Sequence, residues 1–151
     1  DDSLLRLSVE SEDKLSISAS EKTTQIDLES LLFFAPIKGV VTNGFNRKDE
    51  HFGTDIVAKE NELVKCVYEG VVVISNWTSE TGYVIGVQHE NSFFSLYKHN
   101  STLFKTVGDR VKSGDAIAII GNSGELSSGP HLHFELWHQG TPLNPENYIS
   151  F

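Results

Sequence analysis

The chain has 151 residues and a formal net charge of −9, a size that suits one domain with a substantial core. It carries no basic patch of the kind that neutralises phosphates, so neither nucleic acid nor an anionic membrane surface is expected as a partner. No apolar run reaches the ~18 residues of a membrane-spanning helix. Cys66 stands alone, which excludes an intramolecular disulfide and a thiolate metal cluster, and its place in Leu63-Val64-Lys65-Cys66-Val67-Tyr68 predicts a buried, inert thiol.

The acidity is uneven. Residues 1–30 hold eight acids against three bases, a net −5 of the −9. Leu5, Leu7 and Val9 alternate, as do Leu15, Ile17 and Ala19, which suggests short exposed strands, and Asp27 to Leu32 suits one helical turn. Residues 1–34 are therefore expected to be an acidic appendage packed on a main domain of residues 35–151.

From Ala35 onward the pattern sharpens. Ala35 to Phe45 reads as turn, strand, turn, and Asn46 to Glu50 as a polar loop. Strand-like runs follow at Leu63–Tyr68, Val71–Trp77, Tyr83–His89, Phe93–Lys98, Ala116–Ile120 and His131–Trp137. They are separated by turn-forming segments such as Glu69-Gly70, Glu90-Asn91-Ser92 and Gln139-Gly140. Many short strands at roughly ten-residue spacing indicate an all-β sandwich or barrel-like sheet. Val64-Lys65 and Val111-Lys112, each ahead of a glycine turn, hint at two similar halves.

Six histidines bear on function. His89 and His138 adjoin turns and are expected to be exposed hairpin-end residues. His131 and His133 follow the Gly129-Pro130 turn on a strand, so they project from one face, with Leu132 and Phe134 on the other. His51 and Asp55 would stand ~13 Å apart on a straight strand, so they can share a metal only if the chain curls through Phe52-Gly53-Thr54. Gly53 is the residue expected to allow that curl.

Two imidazoles and one carboxylate form the three-ligand set of a catalytic zinc, with the fourth position open for chemistry. One of His131 and His133 would serve as ligand and leave the other beside the metal. His99, where a strand is expected to run into a loop, can reach the same place. There is no His-Glu-x-x-His helix, so a glutamate base of the thermolysin kind is not available.

These residues bring out a family likeness. His51-Phe52-Gly53-Thr54-Asp55, Tyr97-Lys98-His99, Gly129-Pro130-His131-Leu132-His133-Phe134-Glu135 and the late Asn144-Pro145 occur in the order and separation of the lysostaphin-type (LytM-like) zinc metallopeptidases. The chain resembles these bacterial peptidoglycan endopeptidases from about Ala35 to Phe151. The resemblance implies a two-layer antiparallel β-sandwich of the duplicated hybrid motif type, with one zinc ion per chain held by His51, Asp55 and His133. It also implies that His99 and His131 are the flanking pair that activates water and stabilises the oxyanion. The implied substrate is a peptide of peptidoglycan, in the bacterial envelope outside the cytoplasm; an acidic surface without an evident wall-targeting segment favours the periplasm over the medium. Most non-catalytic relatives, which activate cell-wall amidases, lack some of these five residues, and this chain has them all. Asn100 stands where leucine is common, a departure expected to alter the groove wall. A phosphocarrier of the glucose-type phosphotransferase system also has a motif like residues 51–55, but needs neither Tyr97-x-His99 nor the His131/His133 pair. A two-His-one-carboxylate iron oxygenase usually has His-x-Asp, which the His51–Asp55 spacing does not match.

Overall fold

The computed structural model describes residues 32–122 and 129–151, so the strands expected within residues 1–30, and the helical turn expected from Asp27 to Leu32 except for Leu32 itself, lie outside the described residues. Ten strands follow one another: β1 (Val40–Asn43), β2 (Thr54–Val57), β3 (Leu63–Lys65), β4 (Gly70–Thr78), β5 (Gly82–His89), β6 (Phe93–Leu103), β7 (Arg110–Val111), β8 (Ala116–Ile120), β9 (His131–His138) and β10 (Thr141–Leu143). The only helices among the described residues are 3₁₀ turns at Glu90–Ser92 and Pro145–Asn147, so none is long and apolar enough to cross a membrane.

Every strand pair is antiparallel, in the order β1-β2-β9-β6-β5-β4-β7, with β10 on β9 and the β3–β8 pair joined through β6. The all-β expectation holds, and the layers share a strand. β6 pairs β9 from Phe93 to Lys98, then β8 from Asn100 to Leu103, so it carries the chain from one layer into the other. One apolar cluster lies between them, with Ile56, Leu132, Phe134 and Leu136 from the β2–β9 side and Val64, Ile117, Ala118 and Ile120 from β3 and β8.

The alternation of β9 explains its placement. Leu132, Phe134 and Leu136 enter the core, while His131 and His133 take the other face. In β6, Phe93, Ser95 and Tyr97 point inward, and strict alternation would send His99 after them. Instead His99 adopts φ 70, the ladder shifts register there, and Asn100 is the buried residue. This one-residue change of phase turns the His99 ring out of the core. It also corrects the expected end of this strand at Lys98, since pairing continues to Leu103.

The two-halves hint takes a different form from the one expected. The Gly108 N–H donates to Val72 O and Val72 N–H to Asp109 O; six residues on, Gly114 N–H donates to Cys66 O and Cys66 N–H to Asp115 O. In each turn an aspartate accepts a main-chain N–H three residues back, Thr106 for Asp109 and Lys112 for Asp115, both at 2.8 Å. The repeated unit is thus this turn clamp. Ahead of β1, Phe34 N–H donates to Val67 O at 2.8 Å, and the Phe33 ring packs edge-on against Tyr68, Phe93 and Tyr148, so residues 33–34 are tied to the main body.

A chain of polar groups crosses the core. His89 Nδ1–H donates to Glu69 O (2.9 Å), and Ser95 Oγ–H donates to His89 Nε2 (2.7 Å). Tyr97 O–H then donates to Ser95 Oγ (2.8 Å) while its oxygen accepts Val67 N–H (3.1 Å). Cys66 is fully buried beside Tyr97, as expected, and burial pushes its thiol up. His89, only 5% exposed, is not the surface residue its neighbouring turn suggested, because Glu69, on the turn before β4, and Ser95 on β6 capture both ring nitrogens. His138 is likewise half-buried, with its ring 4.5 Å from that of Phe93.

Burial lowers His89 from the ordinary 6.5 to about 4. Its unfolded form therefore binds the proton first on acidification, so the stability it confers is complete above pH 6.5 and is lost as pH falls toward 4. The expected loss over that window is about 3 kcal/mol. Urea unfolding at pH 7, 5.5 and 4 should show it, and His89→Gln should flatten that part of the pH dependence. An acid limb equally steep in the variant would assign the loss to other groups.

Candidate metal centre and its histidine flank

Strand register builds the centre. Asp55 on β2 pairs directly with His133 on β9, and Val57 with His131, so the four side chains share one face. His51 lies before β2, in an isolated two-way main-chain bridge with Asn46 that closes the polar loop. Asn46 Oδ1 accepts from Lys48 N and Asp49 N inside that loop. The chain then curls, and His51 Nε2 comes 3.1 Å from Asp55 Oδ2. Gly53 enables this through close approach rather than an unusual φ: a Cβ there would sit 2.6 Å from Phe134 O and 2.8 Å from His133 Cε1.

One potential donor atom from each of His51, Asp55 and His133 lies within 4.8 Å of the other two. The spare nitrogens are already engaged. His51 Nδ1–H donates to Gly44 O (2.8 Å), which turns Nε2 toward Asp55. His133 Nε2–H donates to Glu135 Oε2 (2.7 Å), which turns Nδ1 to within 2.7 Å of Asp55 Oδ1. Two imidazoles with fixed tautomers converge on one carboxylate, a donor set of the type that holds zinc.

The electrostatics agree. Burial acts to raise the Asp55 carboxyl, but the His133 hydrogen bond, the charges of His133 and His51, and Asn43 hold it below its usual range. Burial acts to lower His133, and Asp55 with Glu135 overcome it and raise the group. His99 is lowered, first by burial and then by His131 and His133 nearby, which favours its neutral form. Its ring stands 5.2 Å from that of His131 and 6.2 Å from that of His133. All five residues singled out in the sequence therefore gather in one place. His99 gets there from within β6, through the left-handed residue, and not from the loop expected after Lys98.

Glu135 was quoted in the sequence motif without a role. It is 7% exposed and takes three donors: His133 Nε2, Trp137 Nε1 (2.8 Å) and Lys98 Nζ (3.2 Å). Burial acts to raise its carboxyl, and His133, Trp137 and Lys98 hold it below the ordinary range. The spacing of two along β9 from His133 to Glu135 to Trp137 was a usable signal. Phe52 and Phe45 continue this wall, with ring centroids 6.4 Å apart from Trp137 to Phe52 and again from Phe52 to Phe45.

If Glu135 fixes the orientation and basicity of His133, Glu135→Gln should lower zinc affinity about 10–100-fold while the far-ultraviolet circular dichroism stays unchanged. Competition titration against a chromophoric chelator measures this, and an unaltered dissociation constant would reduce Glu135 to a packing role.

Residues 49–145 match the sequence profile of Peptidase family M23. The murein hydrolase activator EnvC of Escherichia coli is 35% identical over 98 residues, covering 65% of this chain and 23% of EnvC. The peptidoglycan DD-endopeptidase ShyC of Vibrio cholerae is 34% identical over 95 residues, covering 63% of this chain and 22% of ShyC. The chain thus spans about a quarter of the length of these relatives. Among solved structures, a zinc-containing peptidase from Vibrio cholerae superposes with a TM-score of 0.70 at 26% identity, over 80% of this chain and 40% of that one.

Proposed function

The chain belongs to Peptidase family M23, and from that membership we propose that it is a zinc endopeptidase that hydrolyses peptide cross-links or stem peptides of bacterial peptidoglycan. The observation that carries the reading is the convergence of His51, Asp55 and His133 beside the His99–His131 pair. The zinc-containing structural relative and the DD-endopeptidase relative support it. In this reading residues 35–151 are the peptidase domain, residues 1–34 are an appendage to it, and the protein works in the envelope outside the cytoplasm, in the periplasm.

His51 Nε2, an Asp55 oxygen and His133 Nδ1 would hold the ion, one per chain. Zinc so held supplies Lewis acidity toward a carbonyl and toward water. The remaining work falls to the chain. Asp55 and Glu135 keep His133 in one orientation between them. His99, whose burial favours the neutral ring, has the lone pair to accept a proton from the attacking water, and His131 beside it completes the pair that activates water and meets the developing oxyanion. The exposed Trp77 and Tyr83 pair across β4 and β5, and Tyr83 pairs in turn with Asn100, the residue after His99.

A second reading follows from the likeness to EnvC: a non-catalytic module that activates a cell-wall amidase. Digestion of purified peptidoglycan, followed by mass spectrometry of the released fragments, separates the two. Hydrolysed peptide bonds are expected from the zinc-loaded protein alone, whereas stimulation of an added amidase with no cleavage of its own would establish the activator.

His133→Ala should abolish zinc binding and cleavage together, and stoichiometric zinc in that variant would overturn the ligand assignment. His131→Ala should keep its zinc and lose about 10²–10⁴ in kcat. Near-normal turnover would remove His131 from the reaction.

A further inference from the structure

His99 and His131 belong to different strands, and the β6–β9 ladder ends one rung short of His99, at Lys98↔His133. The residue that joins them is Gly121, directly after β8. Its N–H donates to the His99 carbonyl at 2.9 Å, and its own carbonyl accepts from His131 N–H at 3.2 Å. A single residue thus ties together the backbones of two histidines whose rings stand 5.2 Å apart.

The junction leaves no room for a side chain. A Cβ on Gly121 would lie 2.3 Å from the His99 carbonyl oxygen and 3.0 Å from the Asn100 carbonyl carbon. Both are main-chain atoms, which cannot swing aside as the end of a flexible side chain can. The His99 backbone is also fixed on its other side. His99 N–H donates to Thr81 O at 2.7 Å, and Asn100 Nδ2 donates to the carbonyls of Tyr97 and Tyr83 at 3.0 Å each. These contacts hold a non-glycine residue at φ 70, a conformation that needs support from its surroundings. Asn100, the departure noted in the sequence, therefore braces the bulge that presents His99. The Gly121 contact couples that bulge to β9.

We propose that Gly121 is a positioning residue, whose two main-chain hydrogen bonds set the separation of the His99 and His131 imidazoles for the hydrolytic step. The inference rests on the reading of that pair as the groups that act on water and the oxyanion.

Gly121→Ala in the zinc-loaded protein is the test. The kcat should fall about 10–100-fold, the scale of a displacement near 1 Å in a catalytic group. KM and zinc content should stay within about twofold, since neither ligands nor groove walls are touched. The nuclear Overhauser contact between the His99 and His131 rings, expected in the wild type, should be lost. Retention of that contact overturns the proposal whatever the rate, and so does its loss with kcat within about threefold of wild type. A loss of zinc parallel to the loss of rate also overturns it, because Gly121 would then serve the metal centre.

If the variant does not fold, hydrogen exchange in the wild type decides. The amides of Gly121 and His131 should exchange about 100-fold or more slowly than exposed amides, and free exchange would overturn the junction. Should the wild type cleave nothing, the peptidase reading fails, while ring contact and exchange still report whether Gly121 sets the spacing.

Discussion

Because Asp55 pairs with His133 across the β2–β9 ladder, the register of the sheet and the geometry of the centre are the same fact. A slip of one residue in either strand would turn Asp55 or His133 into the core and bring Ile56 or Leu132 to the surface. The four fully buried residues Ile56, Leu132, Phe134 and Leu136 therefore hold the face that carries Asp55 and His133 in place by occupying the opposite one. Burying each such side chain is worth about 1.5–3 kcal/mol, far more than an exposed ion pair contributes, so apolar packing sets the register and the polar face follows.

On that polar face the charges form a closed set. His133 lies between Asp55 and Glu135, with 2.7 Å hydrogen bonds on either side, and Lys98 closes on Glu135 from β6. Each group acts on its neighbours, so both acids are held down while His133 is held up. Trp137 anchors the far oxygen of Glu135 and leans on Phe52, the neighbour of His51. The aromatic wall thereby connects the loop that carries one imidazole to the carboxylate that orients the other.

Much of this was legible in the chain. The run Ala116–Ile120 matches its strand to the residue, and the apolar alternation after Gly129-Pro130 gave the face shared by His131 and His133. The assignment of ligands came from the family resemblance, and the structure brings those residues within reach of one another. What local pattern could not reveal depended on partners distant in sequence. His89 beside a turn reads as exposed until Glu69 and Ser95 are known to flank it. His99 after Lys98 reads as the end of a strand, because a left-handed residue that changes the phase of a ladder leaves no mark in hydropathy. Gly53 reads as the residue whose backbone freedom permits a curl, whereas its lack of a side chain admits the Phe134 carbonyl and the His133 ring.

The buried polar chain from Glu69 through His89, Ser95 and Tyr97 to Val67 has a consequence for how the fold is recognised during assembly. Alternation of apolar residues distinguishes a correct ladder from one displaced by a single residue, but a displacement of two keeps every apolar side chain on its proper face. The polar chain removes that ambiguity. Its links join residues as far as 30 apart in sequence, and each needs the others in register to be satisfied. A two-residue slip between β5 and β6 would keep the Ser95–Tyr97 bond, which lies within β6, but break the His89–Ser95 and Tyr97–Val67 links, leaving an imidazole nitrogen and a main-chain N–H buried without their partners at about 1–3 kcal/mol for each. These side chains thus serve as a parity check on the sheet, rejecting the misalignments that hydrophobicity alone accepts.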